Sequence, residues 1–277
     1  MLVAALIWGL AFSAQRSGTG NISPFFFNGV RYLLGAVALV PVLFMRKTFS
    51  RKIDWKKVIF AGIVCGICAG LGANLQQIAL ATTEAGKAGF LTTLYIIFVP
   101  ILGLFFGKKA PPFILPAILF ATVGFYFLSV SEKFTLEKGD MLLLIAAVTF
   151  AFHIVFIDLL GKDLDSILFS VAQFTTVGVL SLVYAFLFEE PSVAAIQRAL
   201  IPILYTGLAS TGIATTLQVV GQKGCNPSAA ALILSLESVF SVLGGAIILG
   251  ERLSGRGIMG CILIFCGIII AQIERKK

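Results

Sequence analysis

Long apolar runs, separated by short charged or Pro/Gly-rich joints, fill almost the whole chain and constrain its fold more than any other feature. Only 12% of its 277 residues are charged, about half the share that is usual in soluble domains. A helix needs about 20 apolar residues to cross the hydrocarbon core of a bilayer. The runs predict ten transmembrane helices, at residues 2–16, 23–45, 58–80, 87–107, 112–130, 140–161, 166–188, 198–222, 228–249 and 255–273. We therefore expect an all-α polytopic membrane protein.

Lysine and arginine are distributed unevenly between the joints, and this predicts how the chain crosses the membrane. With the N-terminus in the cytoplasm, the inner joints hold thirteen basic residues and the outer joints hold seven. The densest group is RKTFSRKIDWKK at residues 46–57. Because cytoplasmic loops carry the excess of basic residues, we expect both termini in the cytoplasm and the protein in a plasma membrane of the bacterial inner-membrane type. Nucleic-acid binding is not expected, since the basic residues lie in loops and not along one groove.

The two halves of the chain are related by one constant, ungapped offset along the sequence. This offset aligns Gln76 with Gln218 and places Tyr95 opposite Glu237. Each half holds five predicted helices, so the second half must run in the opposite direction to the first. Inverted repeats of this kind are typical of alternating-access carriers, whose binding site lies near the middle of the membrane. The predicted domains are residues 1–130, residues 140–273 and a cytoplasmic tail at 274–277.

Several segments resemble the EamA-like branch of the drug/metabolite transporter (DMT) superfamily. They are WGLAF at 8–12, the Leu-Gln pairs at 75–76 and 217–218, and SLESVFSVLGGAIILGERLS at 235–254. The resemblance implies ten helices in two inverted five-helix repeats and the transport of small organic solutes, with export as the expected direction. The family pattern has proline directly after the glutamate, where this chain has Ser238. Pro100 lies in the fourth helix, so we expect a kink in the fourth helix and none in the ninth.

Glu237 lies about ten residues into the ninth predicted helix, near the middle of the bilayer. A charged side chain there costs at least about 2.5 kcal/mol, and small residues on the same helix face indicate that it points toward other helices. One hypothesis is a proton or cation site whose occupancy is coupled to substrate binding. The other is a structural role, in which protonated Glu237 donates a hydrogen bond to a neighbouring helix, with Gln218 as a suitable acceptor. The sequence leaves both open.

Polar residues form one stripe along the eighth predicted helix. Thr211, Thr215, Gln218 and Gln222 follow one another at steps of four, three and four residues. Hydrogen bonds between helices could account for one or two of them. The whole stripe is better explained as the wall of a hydrated cavity, with Gln76 as its counterpart in the first half.

Aromatic residues at a similar depth complete the candidate substrate site. We predict that Trp8, Phe12, Tyr95 and His153 form an aromatic-lined pocket for a cation or a flat solute. Two alternatives stay open: Trp8 and Phe12 could pack against lipid or other helices, and a lone histidine is more often a hydrogen-bonded packing residue.

Arg31 is the other ionisable residue deep in a predicted span, one helical turn from Asn28. We interpret it as a side chain that reaches toward the outer interface, helped by Asn28. Anion binding and an ion pair with Glu237 are the alternatives. Glu84 and Lys87, at the outer start of the fourth helix, are predicted to form an interfacial pair.

The sequence contains no GxSxG, HExxH or nucleotide-binding motif, and it has one histidine; the pair in CGIC at 65–68 is interpreted as small packing residues. We therefore predict a protein that is not an enzyme and has no cofactor or metal.

The leading hypothesis is a secondary active transporter that exports an amino acid, nucleobase, amine or drug-like solute. The alternatives are a proton-coupled importer of an organic cation such as a quaternary amine and, from another class, a membrane-embedded lipid or cell-wall enzyme. The expected partners are a small-molecule substrate, the lipid bilayer and protons as a candidate coupling ion, with monomer and homodimer both open.

Overall fold

The computed structural model describes residues 1–50, 52–107, 113–129, 137–223, 225, 227–252 and 254–271, and these form helices and connecting loops. The first half contains α1 (Leu2–Gly18), α2 (Pro24–Met45), α3 (Trp55–Ala79), α4 (Ala85–Thr92), α5 (Tyr95–Phe105) and α6 (Ile114–Ser129). The second half contains α7 (Lys138–Leu160), α8 (Ser166–Phe188), α9 (Val193–Arg198), α10 (Leu200–Leu204), α11 (Thr216–Gln222), α12 (Pro227–Ser235), α13 (Glu237–Gly244) and α14 (Gly255–Ala271). Short 3₁₀ structure occupies Thr48–Ser50, and π-helical turns occupy Tyr205–Thr215 and Gly245–Leu249. The predicted tail at 274–277 lies outside the described residues.

The helices lie on the predicted apolar runs, with ends that differ by a few residues. Six described segments are long and apolar enough to cross a membrane, namely Pro24–Met45, Trp55–Ala79, Ala85–Phe105, Lys138–Leu160, Ser166–Phe188 and Leu200–Gln222. Leu115–Phe127, Ile233–Leu249 and Gly255–Gly267 are shorter apolar helices. Large apolar side chains such as Val37, Phe44, Leu180 and Leu187 are exposed on the outside of the bundle. This surface suits a hydrocarbon environment, which does not penalise exposed apolar groups.

Contacts between the two halves build the centre of the bundle. α3 packs against α7 and α8, while α1 and α2 pack against the π-helical segment Tyr205–Thr215. α1 and α4 also pack against α13. Glu237 and the polar residues of the π-helical segment therefore lie on second-half elements that pack against helices of the first half.

Two long segments are interrupted at positions that the offset between the halves aligns with each other. α4 ends at Thr92 and α5 begins at Tyr95, while α12 ends at Ser235 and α13 begins at Glu237. Both breaks therefore lie beside residues that were predicted to bind substrate, Tyr95 in one half and Glu237 in the other.

The expectation that the ninth helix has no kink was wrong, and proline does not account for either interruption. Pro100 lies inside α5, several residues beyond the break. At each break a hydroxyl group donates to the carbonyl oxygen three residues earlier, from Thr93 to Phe90 at 2.8 Å and from Ser238 to Ser235 at 2.8 Å. Such side-chain bonds compete with the backbone ladder and often accompany bends, but Thr149 forms the same bond to Ala146 inside the uninterrupted α7, so the hydroxyl bond by itself does not break a helix.

Candidate functional site

A cavity with an empty volume of about 750 Å³, which includes open solvent, lies among the helices. All nine residues that were predicted to bind substrate line this cavity, namely Trp8, Phe12, Gln76, Tyr95, His153, Thr211, Thr215, Gln218 and Glu237. Arg31 also lines it. The structure thus brings together side chains from both halves of the chain, including two as far apart in the sequence as Trp8 and Glu237.

Glu237 occupies the first position of α13 and is only 4% exposed. The hydroxyl of Tyr95, from the equivalent position of the first half, faces its carboxyl group. Gly9 allows α1 to approach at this level, because a Cβ atom on Gly9 would lie 2.8 Å from the Glu237 carbonyl oxygen. Among the described residues, Glu237 forms no ion pair and no hydrogen bond to Gln218. Tyr95, and not Gln218, is therefore the polar neighbour of Glu237, although its buried hydroxyl faces the carboxyl group without forming a hydrogen bond within the described chain.

The aromatic side chains of the cavity are held by polar contacts. Trp8 Nε1 donates to the Ser210 carbonyl oxygen at 3.2 Å, and His153 Nε2 lies 2.9 Å from Gln173 Oε1. His153 is thus a hydrogen-bonded residue of the bundle interior and a lining residue of the cavity. Trp8 and Phe12 contact the cavity and the neighbouring helices, so lipid is not their only environment.

Several buried polar atoms at the cavity have no hydrogen-bond partner within the described chain. They are Gln15 Oε1, Tyr95 Oη, Gln173 Nε2, Thr211 Oγ1 and Gln218 Oε1. A buried polar group without a partner costs about 1–3 kcal/mol. Water or a polar solute in the cavity would remove that cost, so the wall is suited to a hydrated, exchangeable content.

The polar stripe of the eighth predicted helix lies partly on π-helical turns. Ser210, Thr211 and Thr215 belong to the segment Tyr205–Thr215, and the Thr215 hydroxyl donates to the Ser210 carbonyl oxygen at 3.2 Å. π-Helical turns occur frequently at functional sites. The wider turn changes the spacing expected for an α-helix, yet Thr211, Thr215 and Gln218 still face the same cavity. Gln222, the fourth member of the predicted stripe, does not line it, and its amide donates to the Ile154 carbonyl oxygen at 3.3 Å.

Arg31 does not reach the outer interface, contrary to the interpretation from the sequence. Its side chain is 3% exposed and lines the cavity. Its Nε atom donates to Asn28 Oδ1 at 2.7 Å, so Asn28 orients the guanidinium inside the bundle. The alternative of an ion pair with Glu237 is also absent from the described structure.

The predicted pair of Glu84 and Lys87 was wrong as well. Lys87 Nζ lies 2.9 Å from a carboxylate oxygen of Asp140 and 3.4 Å from one of Glu137. The start of α7 packs beside α4 and supplies both acids. The sequence spacing favoured Glu84 as the partner of Lys87, but the packing of α7 beside α4 places Asp140 closer to it.

Sequence reasoning missed other lining residues, among them Gln15, Tyr32, Gln173 and Ser210. A signal was available for two of them. Gln15 and Gln173 are amides within apolar runs, which is the criterion that selected Gln76 and Gln218. Tyr32 and Ser210 carry no comparable signal.

These features define a multi-pass membrane protein with a polar central cavity. The chain belongs to the EamA-like transporter family, because the model of that family matches residues 1–130 and 137–272. The resemblance to the drug/metabolite transporter superfamily is thereby confirmed, and the chain is a membrane transporter. Membership of a transporter family points to a protein that is not an enzyme.

Two relatives extend the same assignment over nearly the whole chain. One is an uncharacterized transporter of Archaeoglobus fulgidus, 30% identical over 99% of this chain and 85% of the relative. The other is the uncharacterized transporter YoaV of Bacillus subtilis, 27% identical over 98% of this chain and 94% of the relative. A solved crystal structure is also similar, with a TM-score of 0.73 and 19% identity over 97% of this chain and 94% of the solved one; this likeness concerns the fold alone.

Proposed function

We propose that this transporter is a secondary carrier that exports a small organic metabolite by alternating access, with the central cavity as its substrate site. The two moving parts are two inverted five-helix repeats, at residues 1–130 and 140–273. The observation that carries the proposal is a cavity lined by both halves whose wall retains unpartnered polar atoms. A solute held between two halves can be exposed to either side when one half rocks against the other.

The helix contacts support a twofold relation between the halves. The offset that aligns Gln76 with Gln218 makes α3 equivalent to the segment Tyr205–Thr215, α7 equivalent to α1, and α8 equivalent to α2. α3 packs against α7 and α8, and the segment Tyr205–Thr215 packs in the same way against α1 and α2. α2 with α8 and α6 with α14 are pairs of equivalent helices, and each pair packs together. The two helix interruptions, before Tyr95 and Glu237, are equivalent by the same offset.

The proposed location is the plasma membrane, with both termini in the cytoplasm. The excess of basic residues at 46–57 supports this orientation. Single cysteines introduced at Lys57 and at Lys138, in a background without the native cysteines, test it by labelling with an impermeant thiol reagent on intact cells. Labelling of Lys138→Cys but not of Lys57→Cys is expected, and the reverse pattern would contradict the orientation.

Reconstitution of the purified protein into liposomes tests the carrier proposal. A thermal-shift screen against amino acids, nucleobases, polyamines and quaternary amines first selects ligands, because a ligand that binds the folded state raises its Tm. Counterflow of a selected radiolabelled ligand into preloaded vesicles should then exceed that of empty vesicles. Binding without counterflow would refute the carrier.

A proton-coupled importer of an organic cation is the second candidate, and the environment of Glu237 favours it. Its carboxyl group is buried, lines the cavity beside Trp8 and Tyr95, and has no cationic partner among the described residues. Glu237→Gln should then abolish uptake driven by a pH gradient and leave exchange intact. If both activities survive the substitution, Glu237 has no coupling role.

A further inference from the structure

Arg31 places a guanidinium group inside the cavity, and the atoms behind it fix its orientation. Arg31 Nε donates to Asn28 Oδ1 at 2.7 Å. Asn28 Nδ2 donates to Asn74 Oδ1 at 2.8 Å and to the Ala73 carbonyl oxygen at 3.0 Å. The Asn28 amide can therefore present only its oxygen to Arg31.

A second amide extends this support across the bundle. Asn74 Nδ2 donates to Ser181 Oγ at 2.9 Å and to the Gly70 carbonyl oxygen at 2.8 Å. α2, α3 and α8 are thus joined by one buried chain of hydrogen bonds that ends at Arg31. Such satisfied buried networks make a side chain rigid, which preorganises the guanidinium.

The network uses one nitrogen of Arg31 and leaves the other two available. Within the described chain, Nη1 and Nη2 donate to no protein acceptor and Arg31 has no carboxylate within ion-pair distance. The rings of Tyr32 and Phe27 lie 4.7 and 5.7 Å from the guanidinium carbon. Rings contact a guanidinium through their faces, so they do not supply the in-plane acceptors that its amino groups require.

A buried cation without an anionic partner is expensive, and its missing partner must come from the content of the cavity. Planar oxyanions fit best, because a guanidinium and a carboxylate form two parallel hydrogen bonds. Glu237 lines the same cavity but does not form that pair.

We propose that Nη1 and Nη2 of Arg31 bind a carboxylate group of the transported solute, which makes the substrate an organic acid or an amino acid and not a simple amine. This inference rests on the proposed function, since it assigns one end of the substrate site. Asn28 is a positioning residue for Arg31, and Asn74 holds Asn28 in place.

The test uses three probes with the same ring and chain: 3-phenylpropanoate, 3-phenylpropanamide and 3-phenylpropylamine. Each is titrated at up to millimolar concentration against the full chain in lipid nanodiscs, with Tm as the readout. The carboxylate should raise Tm more than the isosteric amide, and the amine least. Equal shifts for carboxylate and amide, or a shift with the amine alone, would overturn the assignment, as would a shift with inorganic phosphate alone.

Substitutions then locate the effect. Arg31→Gln should weaken binding of 3-phenylpropanoate at least about tenfold and leave binding of the amide within about twofold. Arg31→Lys should bind the carboxylate with intermediate affinity, because a lysine keeps the charge but cannot form two parallel bonds. Arg46→Gln, which removes one positive charge at the end of the same helix, should bind all three probes as the wild type does. The Tm of each variant without probe shows whether the variant is folded. If Arg31→Gln does not fold, the comparison of Arg31→Lys with the wild type tests the assignment.

Liposome counterflow separates this inference from the proposed function. If wild-type vesicles exchange solutes but Arg31→Gln vesicles discriminate carboxylate from amide as before, the assignment of Arg31 is wrong and the carrier stands. If the carboxylate binds through Arg31 but no solute is exchanged, the carrier is wrong and the binding site stands.

Discussion

The two ends of the bundle differ in how firmly they join the halves of the chain. At one end, called the Arg16 end, Arg16 Nε lies 3.1 Å from a carboxylate oxygen of Glu251, and Lys87 Nζ lies 2.9 Å from one of Asp140. Asp140 is 0% exposed. Both pairs connect residues 1–130 with residues 137–272, so this end holds the halves together through shielded charges.

At the opposite end, called the Arg46 end, the described structure has a weaker connection. Arg46 Nη2 lies 3.9 Å from a carboxylate oxygen of Asp165, and the Arg46 side chain is 46% exposed. Exposed ion pairs contribute about 0–1 kcal/mol. In a carrier that rocks one half against the other, the Arg16 end is therefore expected to resist opening more strongly than the Arg46 end.

The largest effect is expected from Asp140→Asn. The substitution removes the buried partner of Lys87 and leaves this lysine only the more exposed Glu137, at 3.4 Å, so the loss is expected to reach at most about 3 kcal/mol. The measurement is the free energy of unfolding in detergent. Asp54→Asn removes an acid whose pair with Lys57 is 3.6 Å long and more than half exposed on both sides, and it should change stability by less than about 0.5 kcal/mol. Equal effects of the two variants would contradict the comparison.

A smaller effect is expected from Glu251→Gln. The Glu251 carboxylate accepts hydrogen bonds from the backbone N–H groups of Ala85 and Gly86 at 2.9 and 3.2 Å, besides pairing with Arg16. The glutamine keeps one acceptor oxygen but loses the charge, so a loss of about 1–2 kcal/mol is expected.

Glu189→Gln is the matched control for Glu251→Gln. Glu189 accepts from the backbone N–H groups of Phe25 and Phe26 at 3.1 and 2.9 Å and from the Ser23 hydroxyl at 2.7 Å, and it has no ion pair among the described residues. In a Ser23→Ala background, which removes the additional hydrogen bond of Glu189, the difference between the two variants in unfolding free energy isolates the Arg16 pair. A loss for Glu189→Gln as large as that for Glu251→Gln would show that the caps, and not the ion pair, matter at this end.

Arg46→Gln should have a slight effect, below about 0.5 kcal/mol, because its pair with Asp165 is long and solvent-exposed. Thermal unfolding at low and high salt checks this. A destabilisation that approaches that of Asp140→Asn would reverse the ranking of the two ends.

The smallest effect concerns Glu84, which precedes α4 at the Arg16 end. Partial burial, and next the charge of Glu251, raise the pKa of Glu84 above its ordinary value of 4.5. A carboxyl group with a raised pKa is harder to ionise in the folded state than in the unfolded chain. The folded state therefore loses stability as the pH rises from the ordinary pKa to the native pKa. Glu84→Gln should therefore raise Tm slightly at neutral pH and leave it unchanged below about pH 4. A gain that is independent of pH would exclude the electrostatic explanation.

Much of the candidate site could be predicted because a polar side chain within an apolar run is expensive in lipid. Because of that cost, Gln76, Gln218 and Glu237 were expected to point toward the bundle interior, and all three line the cavity. The predicted aromatic residues Trp8 and Tyr95 followed from depth along their helices. Their role in binding a substrate is still a prediction.

The interruption of the ninth helix shows where local patterns stop being informative. Proline was the expected signal, but Ser238 provides a hydroxyl that bonds to a carbonyl oxygen of the preceding turn. Serine within an apolar helix is common and usually leaves the helix intact. The break could therefore not be distinguished from continuous helix in the sequence alone.

The sequence by itself determined the environment of the chain and the positions of its helices, because transfer of apolar segments into lipid depends on composition and length. Tertiary structure alone decided that Lys87 pairs with Asp140 and not Glu84, and that Arg31 lies inside the cavity and not at the membrane interface. The physical reason is that burial and pairing depend on distances between helices that are far apart in the sequence, and no pattern of spacing encodes those distances.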